Sequence, residues 1–569
     1  MEHYVHIVGC ITVTVHLFFR RRGKSTYVYL RQKGRVNGHV VNTAEIYLGT
    51  QADVIRRLTN PEAGVEGFEF LPYPFGTSAA FLAANEELGF SRVVEEITGS
   101  PATARSLLAF IAGRAHEPVS KNGMTDWANH SLFRFVPGLP SLSCRRYLER
   151  MDLLTDEVVE EITLRLGQEL VRRGHRPSLV FFDPTNFSTE QQPGEDDPER
   201  KIPRPGHAKD GDLQAKLVGL ACAVTDQHLP VYHRVYPGNE NDAKLFQEVV
   251  GTMVEQLRKF GAAAEELTFV FDKGVNSEGG LEAIRTAQVH FLSSLKRNQV
   301  HDLLGRPRTA HRKLYTTESG EAIHAFRSKR RVLGVDGVVV VAFNESARKR
   351  QTRDYERAKD RFLSTCQSVG GKMSKPHRGR RSTVQSVTER LEDALPPKWR
   401  GVFKYRVGAT LEQDPPRFTV TGWVEAKKET ELREGFGKTV IFTDRVDWKD
   451  EQIVRTYFAR SGMEEEFHVL KDVLLMPVMP IYHRLDKRIR VHAFLCVVGL
   501  LFYRWIQLRV EGSTKVRVPI GQLADRLDKI QVVALARPGS KKVKVVLQKL
   551  DTEQRSIVKS LDLARFVPN

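Results

Sequence analysis

Leu179-Val180-Phe181-Phe182-Asp183 and Phe269-Val270-Phe271-Asp272 repeat one pattern, an uninterrupted apolar run that ends in an aspartate. An apolar run this short reads as a buried strand, and both carboxylates fall where such a strand emerges. Either aspartate alone has an ordinary explanation as a turn former or helix cap. The pair suggests more. On neighbouring strands the two side chains would be able to share a cation, because close like charges stay ionised together only around a counter-charge.

Around these runs, from Ser178 to Lys296, the pattern predicts a strand (179–182), a hairpin (217–224 with 231–235), a helix (242–260), a strand (267–271), a helix from Ser277 and a strand (290–295). That order is what a ribonuclease-H-like α/β sheet requires, with the first and fourth strands as neighbours. Upstream, short β-rich runs punctuated by glycines between Lys24 and Thr50 predict a small meander. From about Thr77 to Gly167 the period changes to 3.6 residues, giving a helical region that is either DNA-binding or a plain linker. Downstream, Arg348 to Arg381 is polar, basic and helix-compatible, strands are predicted at 418–425 and 439–442, and a helix begins near Asp450. A second helical block runs from His483 to about Val510, and the tail from Pro519 is mixed and basic.

The expected fold class is therefore α/β, a ribonuclease-H-like mixed sheet interrupted by a β-rich insertion, with an N-terminal β plus helical region and a helical C-terminal region. The expected units are a β module (1–60), a helical region (61–175), the first part of the α/β core (176–297), the insertion with its basic helical segment (298–447), the second part of the core (448–482) and a C-terminal region suited to dimerisation or DNA contact (483–569).

A third functional position comes from the predicted helix. Tyr457, Arg460, Glu464, Phe467 and Lys471 are 3, 4, 3 and 4 residues apart, which keeps side chains on one helix stripe. That stripe is too polar for an ordinary core face. It is either a solvated ion-pair face, with Arg460 and Glu464 at i, i+4, or a functional face. Gly462 costs such a helix about 1 kcal/mol relative to Ala, so the pattern carries the prediction more than propensity does. The stripe selects Glu464 over Glu465 and Glu466.

Subtracting 69 acidic from 87 basic side chains leaves +18 over 569 residues, with a pI near 9.6, a balance that suits a polyanionic partner. The composition, 41% hydrophobic and 27% charged, is that of a globular chain. Cys10, Cys144, Cys222, Cys366 and Cys496 are scattered with no CxxC pair, against a disulfide framework or structural zinc site and in keeping with a reducing cytoplasm. The stretch from Val5 to Phe19 has its basic residues behind it, the wrong way round for a signal peptide, and reads as a strand. The apolar run from Ala493 to Tyr503 falls short of the roughly 20 residues of a membrane span, so no membrane segment is expected.

The Tyr457-x2-Arg460-x3-Glu464-x6-Lys471 series resembles the signature of DDE transposases of the insertion-sequence-four type. Phe182-Asp183-Pro184-Thr185-Asn186-Phe187 and Phe271-Asp272-Lys273-Gly274 are similar to that family's first- and second-aspartate segments. Gly206 to Asp210, Pro237 to Asp242 and His483 to His492 resemble its connecting segments, so the likeness spans roughly residues 20 to 510. Lys273 and Met463 depart from the commoner Arg or Ala, and Ile. The separations, 272 − 183 = 89 and 464 − 272 = 192, leave room for a hairpin plus helix and for a β-rich insertion.

The resemblance implies a bacterial, cytoplasmic, nucleoid-associated enzyme that cuts DNA at transposon terminal inverted repeats and joins the freed 3′ ends to target DNA, acting as a homodimer in the synaptic complex. Asp183, Asp272 and Glu464 would be catalytic and hold two Mg²⁺ or Mn²⁺ ions, the metals that hard oxygen ligands favour. Tyr457, Arg460 and Lys471 would contact DNA. Arg348 to Arg350, Arg378 to Arg381 and Lys541 to Lys549 are further basic segments, each equally readable as a solvated face. Trp423 and Trp448 are expected in core packing, with base stacking as the other reading. Two rivals remain: a recombinase using His324, Arg327 and a Tyr355 nucleophile, and a non-catalytic, sequence-specific DNA-binding protein derived from a transposase.

Overall fold

In the computed structural model, which describes residues 14–22, 25–36, 39–59, 69–116, 119–190, 201–206, 216–373, 383–410, 417–472, 475–536 and 543–568, the first apolar run opens the strand Leu179–Ser188. Val180, Phe181 and Phe182 are buried, as expected of a central strand covered on both faces. This strand pairs in parallel with Thr268–Phe271, which pairs in parallel with His290–Ser294. On its other side it pairs antiparallel with Lys216–Thr225, whose hairpin partner is Pro230–Pro237. The helix Asp242–Phe260 starts at Asn241, whose side chain accepts from the N–H groups of Ala243 and Lys244, and stops at left-handed Gly261. Its Phe246 ring lies 5.0 Å from Phe182 and 4.8 Å from Phe271. One buried aromatic thus locks the helix against both aspartate-bearing strands, an anchor worth about 1.5–3 kcal/mol.

The sheet continues further than the expected core. The strand Lys438–Thr443, read from sequence as insertion, lies between His290–Ser294 and Val335–Asn344 and is antiparallel to both. With Ala322–Val332 and Arg312–Thr316 beyond, the sheet reaches ten strands. The separate unit is smaller than 298–447. The helix Glu345–Met373, the helix Val384–Ala394 and the hairpin Phe403–Thr410 with Arg417–Val424 close around their own core of Tyr355, Phe362, Cys366, Leu391, Trp399 and Phe403.

The two ends of the chain also join. Glu69–Pro74 pairs antiparallel with Gln531–Ala536, which pairs with Val543–Leu547, so the C-terminal region is not purely helical and is not separate from the helices that follow residue 75. Those helices pack on Asp486–Thr514, with Phe81 against Phe502 and Tyr503. The apolar run from Ala493 belongs to this 29-residue helix, which by length and composition could cross a membrane, yet 94% of its most apolar window is buried inside the molecule. It is the central helix of a core. The N-terminal meander is present as Thr14–Arg22, Ser25–Val36 and His39–Thr50. The beginning of the Val5 run, His207 to Asp210, Arg378 to Arg381, and Lys541 with Lys542 lie outside the described residues.

Candidate active site

The register of the parallel strands sets the site. Leu179 faces Thr268, Val180 faces Phe269 and Phe181 faces Val270, a constant offset of 89. Asp183 and Asp272 each stand two residues beyond the last of these pairs. On the next strand Ser293 faces Phe271, which brings Ser294 level with Asp272. The expectation that both carboxylates stand where a strand emerges holds for Asp272, just past Phe271, but not for Asp183, which lies inside its strand facing Cys222 because the strand runs on to Ser188 along its antiparallel neighbour.

Hydrogen bonds converge on Asp272. The Ser294 hydroxyl donates to Asp272 Oδ1 at 2.9 Å, and the Tyr457 hydroxyl donates to the same oxygen at 3.3 Å. Burial pushes the Asp272 carboxyl up, but the backbone N–H of Lys273, the Ser294 hydroxyl and the charges of Arg460 and Lys273 outweigh it and hold the group below its usual range. Asp272 is therefore an anion at neutral pH. Burial, more than the nearby Asp272 charge, raises the Tyr457 phenol, which stays protonated as a donor. Arg460 places Nη1 3.8 Å from Asp183 Oδ1. Lys471 lies with Nζ 5.5 Å from the ring of Phe187, four residues beyond Asp183 on the same strand.

The single stripe is not what forms. The segment divides into Asp450–Ala459 and Gly462–Lys471. At the joint the N–H groups of Arg460, Ser461, Met463 and Glu464 donate to the carbonyls three residues back. Such a turn advances about 120° per residue instead of 100°, so a stripe drawn at α-helical spacing does not run through it. Tyr457, at 7% exposure, turns inward to Asp272 and presents no open surface of the kind a DNA contact needs. Glu464 is exposed in the first turn of the second helix. Among the described residues no three His, Cys, Asp or Glu side chains converge as a metal-holding group. The structure thus brings Asp183, Asp272, Tyr457 and Arg460 together and leaves Glu464 outside that cluster. Asp183 and Asp272, two hard oxygen donors with Arg460 as a common neighbour, suit a shared Mg²⁺ or Mn²⁺.

Ser294 was missed by sequence reasoning because its strand, His290–Ser294, has only Phe291 and Leu292 as an apolar run and ends on two uncharged serines. Trp423 corrects another expectation. It is 41% exposed because the hairpin packs its alternate residues, Phe418, Val420 and Val424, on its own small core. Trp448 is partly buried. The recombinase constellation does not assemble. Tyr355 has no exposed surface, and Arg327 is engaged with Asp450 and the carbonyls of Val446 and Trp448. Arg348 pairs with Glu345, and Cys144, Cys222, Cys366 and Cys496 are free thiols.

Residues 174–498, more than half of the chain, match the family model described as a transposase DDE domain. No curated protein matches significantly.

Proposed function

The chain belongs to the transposase DDE domain family, and from that premise we propose that it cuts DNA at transposon ends and transfers the freed strands into target DNA. The observation that carries this reading is the cluster of Asp183 and Asp272 around Arg460, on adjacent parallel strands within the matched region, with Ser294 and Tyr457 donating to Asp272. Asp183, Asp272 and Glu464 are proposed to hold two Mg²⁺ or Mn²⁺ ions, with Glu464 completing the set when DNA is bound. When bound, the ions would activate the attacking hydroxyl, steady the leaving oxygen and offset charge in an in-line displacement.

The chain's own residues have distinct parts in this scheme. Ser294 and Tyr457 fix the orientation of Asp272 and keep one of its oxygens occupied as an acceptor. Arg460 balances the charge of Asp183 and, on the same side, offers a fork of N–H donors to a phosphate beside the cut. Lys471 offers a point charge further along the first-aspartate strand. Hydrolysis at the transposon end breaks one P–O bond and leaves a 3′-hydroxyl. That hydroxyl then attacks a target phosphorus, forming one P–O bond while the target's own 3′-oxygen departs. A homodimer pairing two ends is part of the same proposal.

The test is cleavage of labelled transposon-end DNA with Mg²⁺ or Mn²⁺ by the wild type, Asp272→Ala, Glu464→Ala and Tyr355→Phe. Loss of cutting in the first two variants, with Tyr355→Phe unaffected, is the expected result. Cutting that survives Asp272→Ala, or a covalent protein–DNA band, would overturn it. Specific end binding without cutting in every protein would favour the non-catalytic reading.

A further inference from the structure

We infer that three side chains, the buried Glu466 and Arg504 and the partly buried His228, form a positioning clamp that sets where Glu464 stands relative to Asp183. The inference rests on the reading of Glu464 as the third carboxylate. Glu466 is 0% and Arg504 1% exposed. Arg504 grips Glu466 with two N–H groups, Nε donating to Oε2 at 3.0 Å and Nη2 to Oε1. Its Nη1 donates to Gln507 Oε1 at 2.6 Å, and Gln507 Nε2 donates to the Val518 carbonyl at 2.7 Å. Nη2 also stands 3.2 Å from Glu465. The second signature helix is thereby tied, two residues past Glu464, to the central helix Asp486–Thr514.

The opposite side of Glu466 meets His228, whose Nδ1 is 3.3 Å from Oε1, within ion-pair reach though not aligned as a hydrogen bond. His228 occupies the turn between the strands Lys216–Thr225 and Pro230–Pro237 at φ 61°, a left-handed conformation uncommon for a side-chain-bearing residue. Its N–H donates to the Thr225 carbonyl at 2.9 Å. The imidazole stacks on Phe181, with ring centres 6.3 Å apart and planes 10° from parallel. Phe181 is two residues before Asp183 on the same strand. A Cβ at Gly462 would overlap the His228 ring, so the glycine that weakens the helix is what lets it seat there. One chain of contacts therefore runs from the Asp183 strand through Phe181, His228 and Glu466 to the core helix.

Local structure alone does not locate this helix. Ser461 at its N-cap makes no side-chain cap, and the residues before it form the tight joint. A buried ion pair is also a poor stabiliser, often replaceable by hydrocarbon without loss of folding. That separates positioning from stability in one experiment.

The proteins compared are the wild type, Glu464→Gln, Glu466→Gln, Arg504→Lys and the apolar double variant Glu466→Leu with Arg504→Met. Thermal midpoint, Mn²⁺ affinity by calorimetric titration and end-DNA cleavage across a Mn²⁺ series are measured for each. The expected double variant melts at or above the wild-type temperature, yet binds Mn²⁺ at least tenfold more weakly and needs at least tenfold more for half-maximal cleavage. Arg504→Lys, which keeps the charge but loses the two-pronged grip, falls between.

A folded double variant with wild-type Mn²⁺ affinity and metal dependence overturns the clamp. If the double variant does not fold, a folded Glu466→Gln with wild-type Mn²⁺ affinity overturns it equally. A wild type that binds Mn²⁺ through Glu464 but cuts no end DNA defeats the proposed function alone. In that case a tenfold loss of affinity in the clamp variants still supports the clamp, and its absence refutes it.

Discussion

Two helical glycines with opposite surroundings separate intrinsic propensity from packing. Gly251, in the middle of Asp242–Phe260, has nothing within 4 Å of an added Cβ. Gly251→Ala is expected to raise stability by about 0.5–1 kcal/mol, mainly by reducing the freedom of the unfolded chain. Gly462→Ala gains the same propensity but drives a methyl into His228, and overpacking of this kind costs about 1–3 kcal/mol. Its net effect is destabilising. Urea midpoints of the two variants check the pair, and a Gly462→Ala protein as stable as the wild type would contradict the close approach. The helix penalty at Gly462 was legible from sequence, whereas its cause was not, because His228 approaches from a turn more than 200 residues away in the chain.

The first signature helix shows how an element is placed by residues outside it. Asp450, in its first turn, is buried and accepts from Arg312 at 2.7 Å and from Arg327 at 3.1 Å. Arg327 also holds the carbonyls of Val446 and Trp448, each at 2.7 Å, so it fixes the loop that leads into the helix. Arg312 is 72% exposed at its side chain and is screened by water. Arg327→Ala is expected to cost about 2–3 kcal/mol, since it leaves a buried carboxylate and two carbonyls short of donors, while Arg312→Ala costs under about 1 kcal/mol. Equal losses in a denaturant titration would sink this ranking. The helix start near Asp450 could be read from sequence; the split at Arg460 could not, because a tight turn and an α-turn accept the same residues there.

For the molecule as a whole, acid sensitivity follows from histidines held neutral by burial, His483 and His492 foremost, with burial also pushing His233 down to about 4 and lowering His311. Burial, then Lys121, Arg488 and Arg114, push His483 down to about 3. Burial, then Arg114 and His483, push His492 well below its usual value, and His492 donates from Nε2 to the Val478 carbonyl at 2.8 Å. Both rings are neutral when folded. An unfolded histidine protonates near pH 6.5, so below that pH the unfolded chain binds protons that the folded one refuses. Stability must therefore fall as pH drops from about 6.5, by about 1.4 kcal/mol per pH unit for each ring, and for His483 the decline continues to about pH 3. Asp272 acts lower, its depressed carboxyl stabilising above the ordinary carboxylate range and losing that effect only as pH falls through its own lowered value. Urea midpoints between pH 7 and 4.5 should decline steeply, with His492→Gln removing one ring's share of the slope; a flat profile would contradict buried neutral rings.

By itself the sequence determined the strands and helices around the two aspartates, because apolar period acts within a few turns of chain. It also predicted strands one and four as neighbours, and Leu179–Ser188 does pair in parallel with Thr268–Phe271. Only the tertiary structure decided that Lys438–Thr443 enters the main sheet, that Glu69–Pro74 pairs with Gln531–Ala536, and that Glu466 is buried beside an exposed Glu464. The reason is physical: closing a long loop costs little more than closing a shorter one, so separation along the chain does not announce a partner. Which of three adjacent glutamates meets a buried arginine is settled only once distant elements pack.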